Sequence, residues 1–406
     1  MFIKRTEECT ILMGLYVDDL FGLPIVNRVE SSSHGTGKTD RLDPSHSLKV
    51  WSDFIANLKE RFATVEDRGP ISFALGTEIT QNSAGVSMTL KTFISKLRIL
   101  YNLSDPIPRD KGTMPSREPT DTRIVDVDVS PHPKGSAGEE SRVHIDARKA
   151  SGSRSPASPG LDLTGCAAPE AGSLDHMWLQ GKPIRNASGS LQFAACVCRP
   201  DVAHIAGILA RRVGSPSVEH WYAHLRALKY LTHTSNRGLF YHKNKFSPNG
   251  TLFAAVDSDW AGDQYDRKST AGGVIYFMGS PIDWFSRKEA VVALSSCEAE
   301  YIALCLLIRS VIHLRILLGE LGYTQLEPTT VVIDSKSAHD LAKDAKFRKR
   351  SKHIDIQYHY VRECIEKGYI KLHWLKGTSN PADIFTKSVL IKTFEFHLQN
   401  IMWDMD

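Results

Sequence analysis

The fold is decided by the stretch Leu252-Phe253-Ala254-Ala255-Val256-Asp257, an apolar run that closes on an aspartate. A second apolar run, Val331-Val332-Ile333, closes on Asp334. Between the two lies a long apolar stretch with helical spacing, and Glu300 stands near its start. Strand-like runs that alternate with helical patterns in this mixed order predict an α/β fold with a partly antiparallel sheet. Carboxylates at the ends of such strands project into the crevice beyond the sheet, where ligands usually bind.

The pattern over residues 248–406 predicts a complete α/β domain. The predicted strands are 252–256, 274–278, 282–285, 330–333 and 369–374. The predicted helices are 296–321, 337–343, 354–367 and a short one that begins near Pro381. The turn Gly279-Ser280-Pro281 indicates that the second and third strands form a hairpin.

Composition indicates a globular protein without cysteine-based sites. The 406 residues are enough for two or three domains, with 42% hydrophobic and 24% charged residues. The net charge of +4 is too small to indicate a polyanionic partner by itself. The seven cysteines form no CxxC pair with a matching His or Cys set, which supports neither a zinc site nor a disulfide framework and favours a reducing compartment. The apolar run 302–308 is interrupted at Arg309, too soon for a membrane span, and the N-terminus does not read as a signal peptide.

Residues 1–117 alternate strand-like and helix-like patterns. Two strands are predicted at 11–17 and 20–26, joined by an Asp18-Asp19 turn, and a helix is predicted at 48–62. Two adjacent acids at a hairpin tip could hold a metal, although the residues before Asp18 offer no third carboxylate on a separate strand.

The middle of the chain divides into two further parts. Residues 118–175 contain no Phe, Trp or Tyr and are rich in Pro, Gly, Ser and charges, so we predict a disordered linker or insertion. Residues 176–247 have helical apolar spacing and are predicted to form a helical region before the α/β domain.

Four acids lie at the ends or starts of predicted elements: Asp257, Glu300, Asp334 and Asp383. Ser295 and Glu298 form a capping-box pattern, which gives Glu298 a structural role. Glu300 is two residues further on, about 200° around a helix, and therefore faces nearly the opposite way. Four oxygen donors without Cys or His ligands suit Mg²⁺ or Mn²⁺, and two such ions about 4 Å apart would serve an in-line displacement at a phosphodiester. Taken singly, each acid also fits an Asx turn, a helix cap or a first-turn position.

A basic run at residues 343–352 could grip phosphates, because it holds six basic residues and one acid. The candidate nucleic-acid contacts are Lys346, Arg348, Lys349, Arg350 and Lys352. A solvated charged loop is the alternative. His353 follows directly and is a candidate for a proton relay or for product release near pH 7, with a plain helix-start position as the alternative.

Taken in order, these motifs resemble the C-terminal part of the Pol polyprotein of copia-type long-terminal-repeat retrotransposons. Tyr16-Val17-Asp18-Asp19-Leu20 is similar to the reverse transcriptase metal-binding hairpin of that family, and 75–79 resembles the segment after the palm. Residues 198–203 and 219–221 look like its connection region. The stretches that resemble its ribonuclease H are 257–263, 267–272, 295–301, 352–356 and 380–387.

The resemblance covers nearly everything except about 118–175. It implies a ribonuclease H-like mixed five-stranded sheet with flanking helices at 248–406, preceded by a partial reverse transcriptase palm and thumb at 1–117 and a helical connection region at 176–247. It also implies an enzyme that uses two Mg²⁺ or Mn²⁺ ions to cut the RNA strand of an RNA–DNA hybrid. The metal-binding acids would be Asp257, Glu300, Asp334 and Asp383, and the polymerase aspartates Asp18 and Asp19. By the same resemblance, the partners would be nucleic acid and other Pol or Gag parts, and the protein would act inside the cell, in cytoplasmic virus-like particles or in the nucleus.

The chain departs from the family's pattern before Asp18, where the fingers, most of the palm and the third polymerase carboxylate have no counterpart. We therefore expect an incomplete polymerase attached to a complete ribonuclease H site. A catalytically inactive, nucleic-acid-binding relic of a retroelement is the alternative. A salt-sensitive affinity for hybrids without turnover would distinguish it.

Overall fold

The structure, a computed structural model, describes residues 2–5, 9–16, 19–26, 44–61, 70–103, 154–163, 165–242, 251–343 and 352–405. The chain forms two compact units. One consists of Met1–Ser72 with Leu317–Thr324, and the other of Phe73–Ile316 with Gln325–Asp406.

The smaller unit contains an antiparallel sheet and a helix. Its elements are β1 (Phe2–Arg5), β2 (Cys9–Tyr16), β3 (Asp19–Val26) and α1 (Pro44–Arg61). The strands lie in the order β1-β2-β3. Strand β2 pairs with β3 along its whole length, from Cys9 opposite Val26 to Tyr16 opposite Asp19. The hairpin and the helix that the sequence predicts are both confirmed.

The larger unit contains two five-stranded sheets. The first joins strands from three distant parts of the chain: β4 (Phe73–Ala74), β5 (Thr77–Gln81), β6 (Gly85–Thr89), β7 (Arg237–His242) and β13 (Trp403–Asp404). They lie in the order β13-β7-β6-β5-β4, and every pair is antiparallel. A Cβ at Gly238 would lie 2.1 Å from the carbonyl oxygen of Met88, so only glycine permits this approach of β7 to β6.

Strand β7 corrects one expectation from the sequence. Residues 176–247 were predicted to be helical throughout, yet Arg237–His242 is a strand that pairs with β6. The sheet also groups Phe73–Thr89 with this region and with the C-terminal strand β13, whereas the sequence pattern grouped residues 73–89 with the preceding ones. A partner strand far away in the sequence supplies hydrogen bonds that local periodicity does not reveal.

The described chain between β6 and β7 contains helices. Their bounds are α2 (Lys91–Leu100), α3 (Leu174–Gln180), α4 (Ile184–Val197), α5 (Ala203–Ala210) and α6 (Val218–His233). Helix α4 packs against α5 and α6 through small and apolar side chains, among them Ala187, Leu191 and Ala194, which are fully buried. Ser217 and His220 form a capping box at the start of α6.

The segment that leads to α3 is ordered where the structure describes it. Leu163 is 1% exposed and belongs to the main core, and the amide of Gly160 donates a 2.8 Å hydrogen bond to the carbonyl of Ser388. Arg154 holds the Glu395 carboxylate through two hydrogen bonds of 2.9 Å. The predicted disordered linker at 118–175 is therefore wrong for 154–163 and 165–175, because a few apolar side chains find places in a core that other elements build. Residues 118–153 lie outside the described part.

The second sheet carries the acids. Its strands are β8 (Leu252–Asp259), β9 (Thr270–Phe277), β10 (Ser280–Lys288), β11 (Thr329–Ile333) and β12 (Ile370–Trp374). The helices of this part are α7 (Ser296–Glu320), α8 (Lys336–Lys343), α9 (Lys352–Glu366) and α10 (Ile391–Leu398). The strand order is β10-β9-β8-β11-β12, antiparallel from β10 to β8 and parallel from β8 to β12. This mixed sheet with flanking helices is the ribonuclease H-like arrangement that the sequence predicts.

Two consecutive glycines allow the sheet to be covered closely. A Cβ on Gly272 of β9 would lie 2.7 Å from the Cβ of Phe385, in the 3-10 turn Pro381–Phe385. A Cβ on Gly273 would lie 2.6 Å from the ring of Phe285 and 2.9 Å from Leu307. Because Gly272 lacks a side chain, the 3-10 turn packs directly onto one face of the sheet, and Gly273 leaves room on the other face for Phe285 and Leu307.

Helix α7 is long and apolar enough to pass a membrane-span criterion based on length and composition. Its side chains at Leu304, Leu307, Ile308 and Val311 are completely buried within the protein. A core helix of a folded domain satisfies the same criterion, and the burial of these side chains fits that description.

Candidate metal centre

Asp257 lies inside strand β8. The strand was predicted to end at Val256, but its pairing with β9 continues through Asp257, which faces Gly272, to Asp259. The Asp257 side chain is 2% exposed. The carboxylate is therefore held by regular backbone pairing, with no side chain opposite it on the neighbouring strand.

Glu300 comes from the first turns of α7, and the contacts of Glu298 explain its direction. The Ser295 hydroxyl accepts a 3.2 Å hydrogen bond from the Glu298 amide, and the Glu298 carboxylate accepts one of 2.9 Å from the Leu294 amide. Glu298 thus caps the helix, as the sequence predicts, although its partner is Leu294 and not Ser295. Glu300 is 7% exposed, and its Oε2 has no hydrogen-bond partner among the described residues.

Asp334 follows strand β11 directly. The sequence left open that Asp334 caps the next helix. Ser335 does so instead, since its hydroxyl accepts a 3.2 Å hydrogen bond from the Ala338 amide. The Trp374 indole donates a 2.9 Å hydrogen bond to the backbone carbonyl of Asp334. A Cβ at Gly377 would lie 2.8 Å from Oδ2 of Asp334, so the absence of a side chain there leaves room for the carboxylate.

These three acids converge. One carboxylate oxygen from each of Asp257, Glu300 and Asp334 lies within 4.8 Å of the other two. Burial, together with the charges of Asp257 and Asp334, raises the pKa of Glu300 to about 10. Burial and the charge of Asp257 also raise the pKa of Asp334. Carboxylates crowded in this way repel one another, and a divalent cation bound by hard oxygen donors would relieve that repulsion.

Asp383 stands beside the three, in the 3-10 turn Pro381–Phe385. It is 6% exposed, and its Oδ1 forms an ion pair of 3.1 Å with the ammonium of Lys387. Burial and the charge of Asp257 raise the pKa of Asp383 to about 7. The structure therefore brings all four predicted acids to one place, while the fourth is engaged by a lysine.

Three further residues, Asn380, Thr386 and Lys387, support the acids, and none of them was assigned a role at the site from the sequence. The Thr386 hydroxyl donates to Oδ2 of Asp257, and the Lys387 ammonium lies 3.4 Å from the same oxygen. Asn380 is fully buried and holds the turn through hydrogen bonds to β8 and to its own backbone. The i,i+4 spacing of Asp383 and Lys387 is a signal that could have indicated their ion pair.

The site opens to solvent through a cleft of about 770 Å³. Its lining includes Asp334, Asp383 and Lys387, together with Pro159 and Gly160 of the segment before α3.

The structure does not describe the side chains of the remaining predicted site residues. Asp18 and the basic residues Lys346, Arg348, Lys349 and Arg350 belong to undescribed stretches. Asp19 begins β3, and Lys352 and His353 begin α9, but the side chains of all three are not described. Their proposed roles stay predictions.

The chain is similar to known transposon proteins over half its length. It is 39% identical over 213 residues to a retrovirus-related Pol polyprotein from transposon TNT 1-94 of Nicotiana tabacum, which covers 52% of this chain and 16% of that protein. It is 34% identical over 211 residues to the corresponding polyprotein from transposon RE1 of Arabidopsis thaliana, with 52% of this chain and 14% of that protein covered. The chain thus spans no more than 16% of the length of these relatives.

Among solved structures, LC11-RNase H1 isolated from compost matches 36% of this chain and 98% of its own at 16% identity, with a TM-score of 0.27. No protein-family model matches the chain. The sequence matches to the transposon polyproteins agree with the ordered motifs and with the topology of the second sheet. Over about half its length the chain is similar to the retrovirus-related Pol polyproteins of copia-type transposons.

Proposed function

We propose that the second sheet and its helices form a ribonuclease that hydrolyses the RNA strand of an RNA–DNA hybrid with two Mg²⁺ or Mn²⁺ ions. The observation that supports this most is the convergence of Asp257, Glu300 and Asp334 within 4.8 Å. The proposal extends a coarser statement, a ribonuclease H-like fold in a retroelement Pol protein, to a specific reaction and substrate.

The residues present fit a divalent metal. Their donors are hard carboxylate oxygens without Cys or His, the set that Mg²⁺ and Mn²⁺ prefer. Oε2 of Glu300 belongs to a side chain only 7% exposed and has no hydrogen-bond partner among the described residues. A buried oxygen without a partner costs free energy, and a bound cation would supply the missing interaction.

When bound, the metal ions would supply the positive charge that activates a water and stabilises the leaving oxygen of the phosphodiester. The protein holds the acids in place by rigid elements. Asp257 is fixed within β8, Glu300 within α7, and Asp383 within a 3-10 turn anchored by Asn380. Thr386 orients Asp257 through its hydroxyl. Such supporting contacts determine how precisely carboxylates meet a cation.

The cleft and the family resemblance support the proposed substrate class. A solvent-open cleft beside Asp334, Asp383 and Lys387 can admit a sugar-phosphate backbone, which an enclosed cavity cannot. Selection of RNA over DNA requires recognition of the 2′-hydroxyl and of the groove shape of the hybrid. The basic residues at 343–352 are the proposed backbone contacts.

The test is cleavage of a labelled RNA–DNA hybrid by the purified 406-residue chain. We expect the RNA strand alone to be cut, only when Mg²⁺ or Mn²⁺ is present, and Asp257→Asn to abolish cutting. Asp53→Asn, which changes an exposed aspartate of α1, is the matched control and should cut like the unchanged chain.

Two results would count against the proposal. Cutting by the unchanged chain that persists in EDTA would contradict a metal-dependent mechanism. Tight, salt-sensitive hybrid binding without any cutting would select the alternative, a nucleic-acid-binding protein without catalysis.

A further inference from the structure

The ammonium of Lys387 lies between two of the four acids. It is 3.1 Å from Oδ1 of Asp383 and 3.4 Å from Oδ2 of Asp257. Its side chain is 43% exposed, whereas those of Asp257 and Asp383 are at least nine-tenths buried. Lys387 thus reaches from the rim of the cleft inward and brings a positive charge to carboxylates that are otherwise closed off from water.

The four acids fall into two groups that share Asp257. Asp257, Glu300 and Asp334 present oxygens to one common point, and no lysine or arginine among the described residues makes an ion pair with Glu300 or Asp334. Asp257 and Asp383 are instead bridged by Lys387. Asp257, Glu300 and Asp334 are therefore open to a metal cation, whereas Asp257 and Asp383 already hold the ammonium of Lys387.

We propose that the Lys387 ammonium takes the place of the second metal ion, so that the protein binds its first ion at Asp257, Glu300 and Asp334 and its second only when Lys387 leaves Asp257 and Asp383. This inference rests on the proposed function, because it assigns an order to the two ions of that site. Lys387 is a positioning residue for Asp383, which becomes free to bind an ion once its ion pair opens.

The exposure of Lys387 makes this exchange physically simple. Its four-carbon stem is flexible and its head group is strongly hydrated, so the ammonium can turn toward the cleft that its own residue lines. There it would face the phosphate backbone of a bound nucleic acid, an anion that replaces the lost carboxylate partners. Substrate and second ion would then bind together. The substrate phosphate attracts the Lys387 ammonium away from Asp257 and Asp383, and the second ion binds these two acids once the ammonium has left.

The experiment is a titration of the metal-free 406-residue chain with Mn²⁺, in which free ion is counted by electron paramagnetic resonance. We expect the unchanged chain to bind two Mn²⁺ ions in two steps, the first tighter than the second. Lys387→Met should tighten the second step by at least about tenfold and the first step clearly less, because Lys387 contacts both proposed ligands of the second ion but only Asp257 among those of the first. Lys387→Arg keeps the charge and should leave the second step weak.

Lys371→Met, at an exposed position of β12, removes the same charge elsewhere and is the matched control. The thermal midpoint in EDTA and in Mn²⁺ gives a second readout, and Lys387→Met should gain more from Mn²⁺ than the unchanged chain does. Unchanged second-step affinity in Lys387→Met, or an equal change of both steps, would overturn the inference while leaving the ribonuclease proposal intact. A chain that binds Mn²⁺ as expected but cuts no hybrid would overturn the ribonuclease proposal alone.

Discussion

The side-chain amide of Asn380 donates a 2.8 Å hydrogen bond to the backbone carbonyl of Val256, the residue just before Asp257. Its side-chain oxygen accepts a 3.1 Å hydrogen bond from the Ala382 amide, just before Asp383. One fully buried asparagine therefore ties together the backbones that carry two of the four acids. This contact therefore helps to fix the backbone positions from which Asp257 and Asp383 project.

We predict that Asn380→Ala lowers the free energy of unfolding by about 2–3 kcal/mol, because it leaves a buried carbonyl and a buried amide without partners. Thermal or urea unfolding in EDTA measures this loss without any contribution from bound metal. Asn400→Ala is the control, since Asn400 is exposed and makes only a 3.5 Å bond to Phe396. Equal stability of the two variants would contradict the structural role of Asn380.

Thr386 supports Asp257 in a different way, by direct contact with its carboxylate. Its hydroxyl oxygen also lies 3.1 Å from the backbone carbonyl of Asp383. We predict that Thr386→Val, which keeps the shape of the side chain, weakens Mn²⁺ binding by roughly 10–100-fold, as loss of a supporting contact to a metal ligand does. The Mn²⁺ titration measures the change, and Thr386→Ser should restore most of the affinity.

The control for this variant is Thr324→Val, at an exposed position between α7 and β11. If Thr386→Val binds Mn²⁺ like the unchanged chain, the hydroxyl has no part in orienting Asp257.

Periodicity predicted the elements of the second sheet well, but not all their limits. Helix α7 was predicted at 296–321 and lies at Ser296–Glu320, because its apolar side chains recur at helical spacing over many turns. Strand β8 was predicted to end at Val256, where its apolar run ends. It continues to Asp259 because β9 offers pairing partners, and this long-range pairing has no local signal.

The same holds for the acids and their neighbours: local features could be predicted from the sequence, and long-range contacts could not. Capping chemistry separated Glu298 from Glu300 from sequence alone, since the two residues are local to one helix start. The convergence of Asp257 with Asp334 needed the strand order, which the family resemblance implied. The contact of Lys387 with Asp257 could not be foreseen, because it depends on how a 3-10 turn packs over Gly272.

A buried charge network joins helix α6 to strand β7. Arg199 and Asp201 form an ion pair of 2.7 Å with both side chains fully buried, and the Tyr230 hydroxyl donates a 2.7 Å hydrogen bond to the same carboxylate. The same hydroxyl accepts a 3.1 Å hydrogen bond from Arg237 of β7. The network therefore connects α6 with the strand that the sequence did not predict.

We predict that Tyr230→Phe lowers the free energy of unfolding by about 1.5–3 kcal/mol, because hydrogen bonds to charged groups are lost within the core. Tyr276→Phe is a matched control: Tyr276 is 6% exposed, and its hydroxyl has no hydrogen-bond partner among the described residues. The measurement is the free energy of unfolding of both variants in urea. Equal losses of this free energy would show that the hydrogen bonds of Tyr230 contribute nothing beyond packing.

Glu289 is a buried acid close to the metal centre but not part of it. It is 2% exposed, its Oε1 accepts a 3.0 Å hydrogen bond from Ser258, and its Oε2 has no partner among the described residues. Burial, with a further contribution from the charge of Glu298, raises the pKa of Glu289 to about 7. Between pH 4.5 and 7 the folded protein therefore keeps a proton that the unfolded chain has released, so this contribution to stability is complete below pH 4.5 and is lost as pH rises toward 7.

We predict that Glu289→Gln stabilises the protein at pH 8 by about 2 kcal/mol and has little effect near pH 4.5, because the amide resembles the protonated acid and carries no charge to bury. The measurement is thermal unfolding in EDTA across this pH range. Glu366→Gln, at the exposed end of α9, removes the same charge without a buried partner and should follow the unchanged chain. If Glu289→Gln loses stability with rising pH as steeply as the unchanged chain does, the acid that titrates lies elsewhere and Glu289 is ionised at no cost.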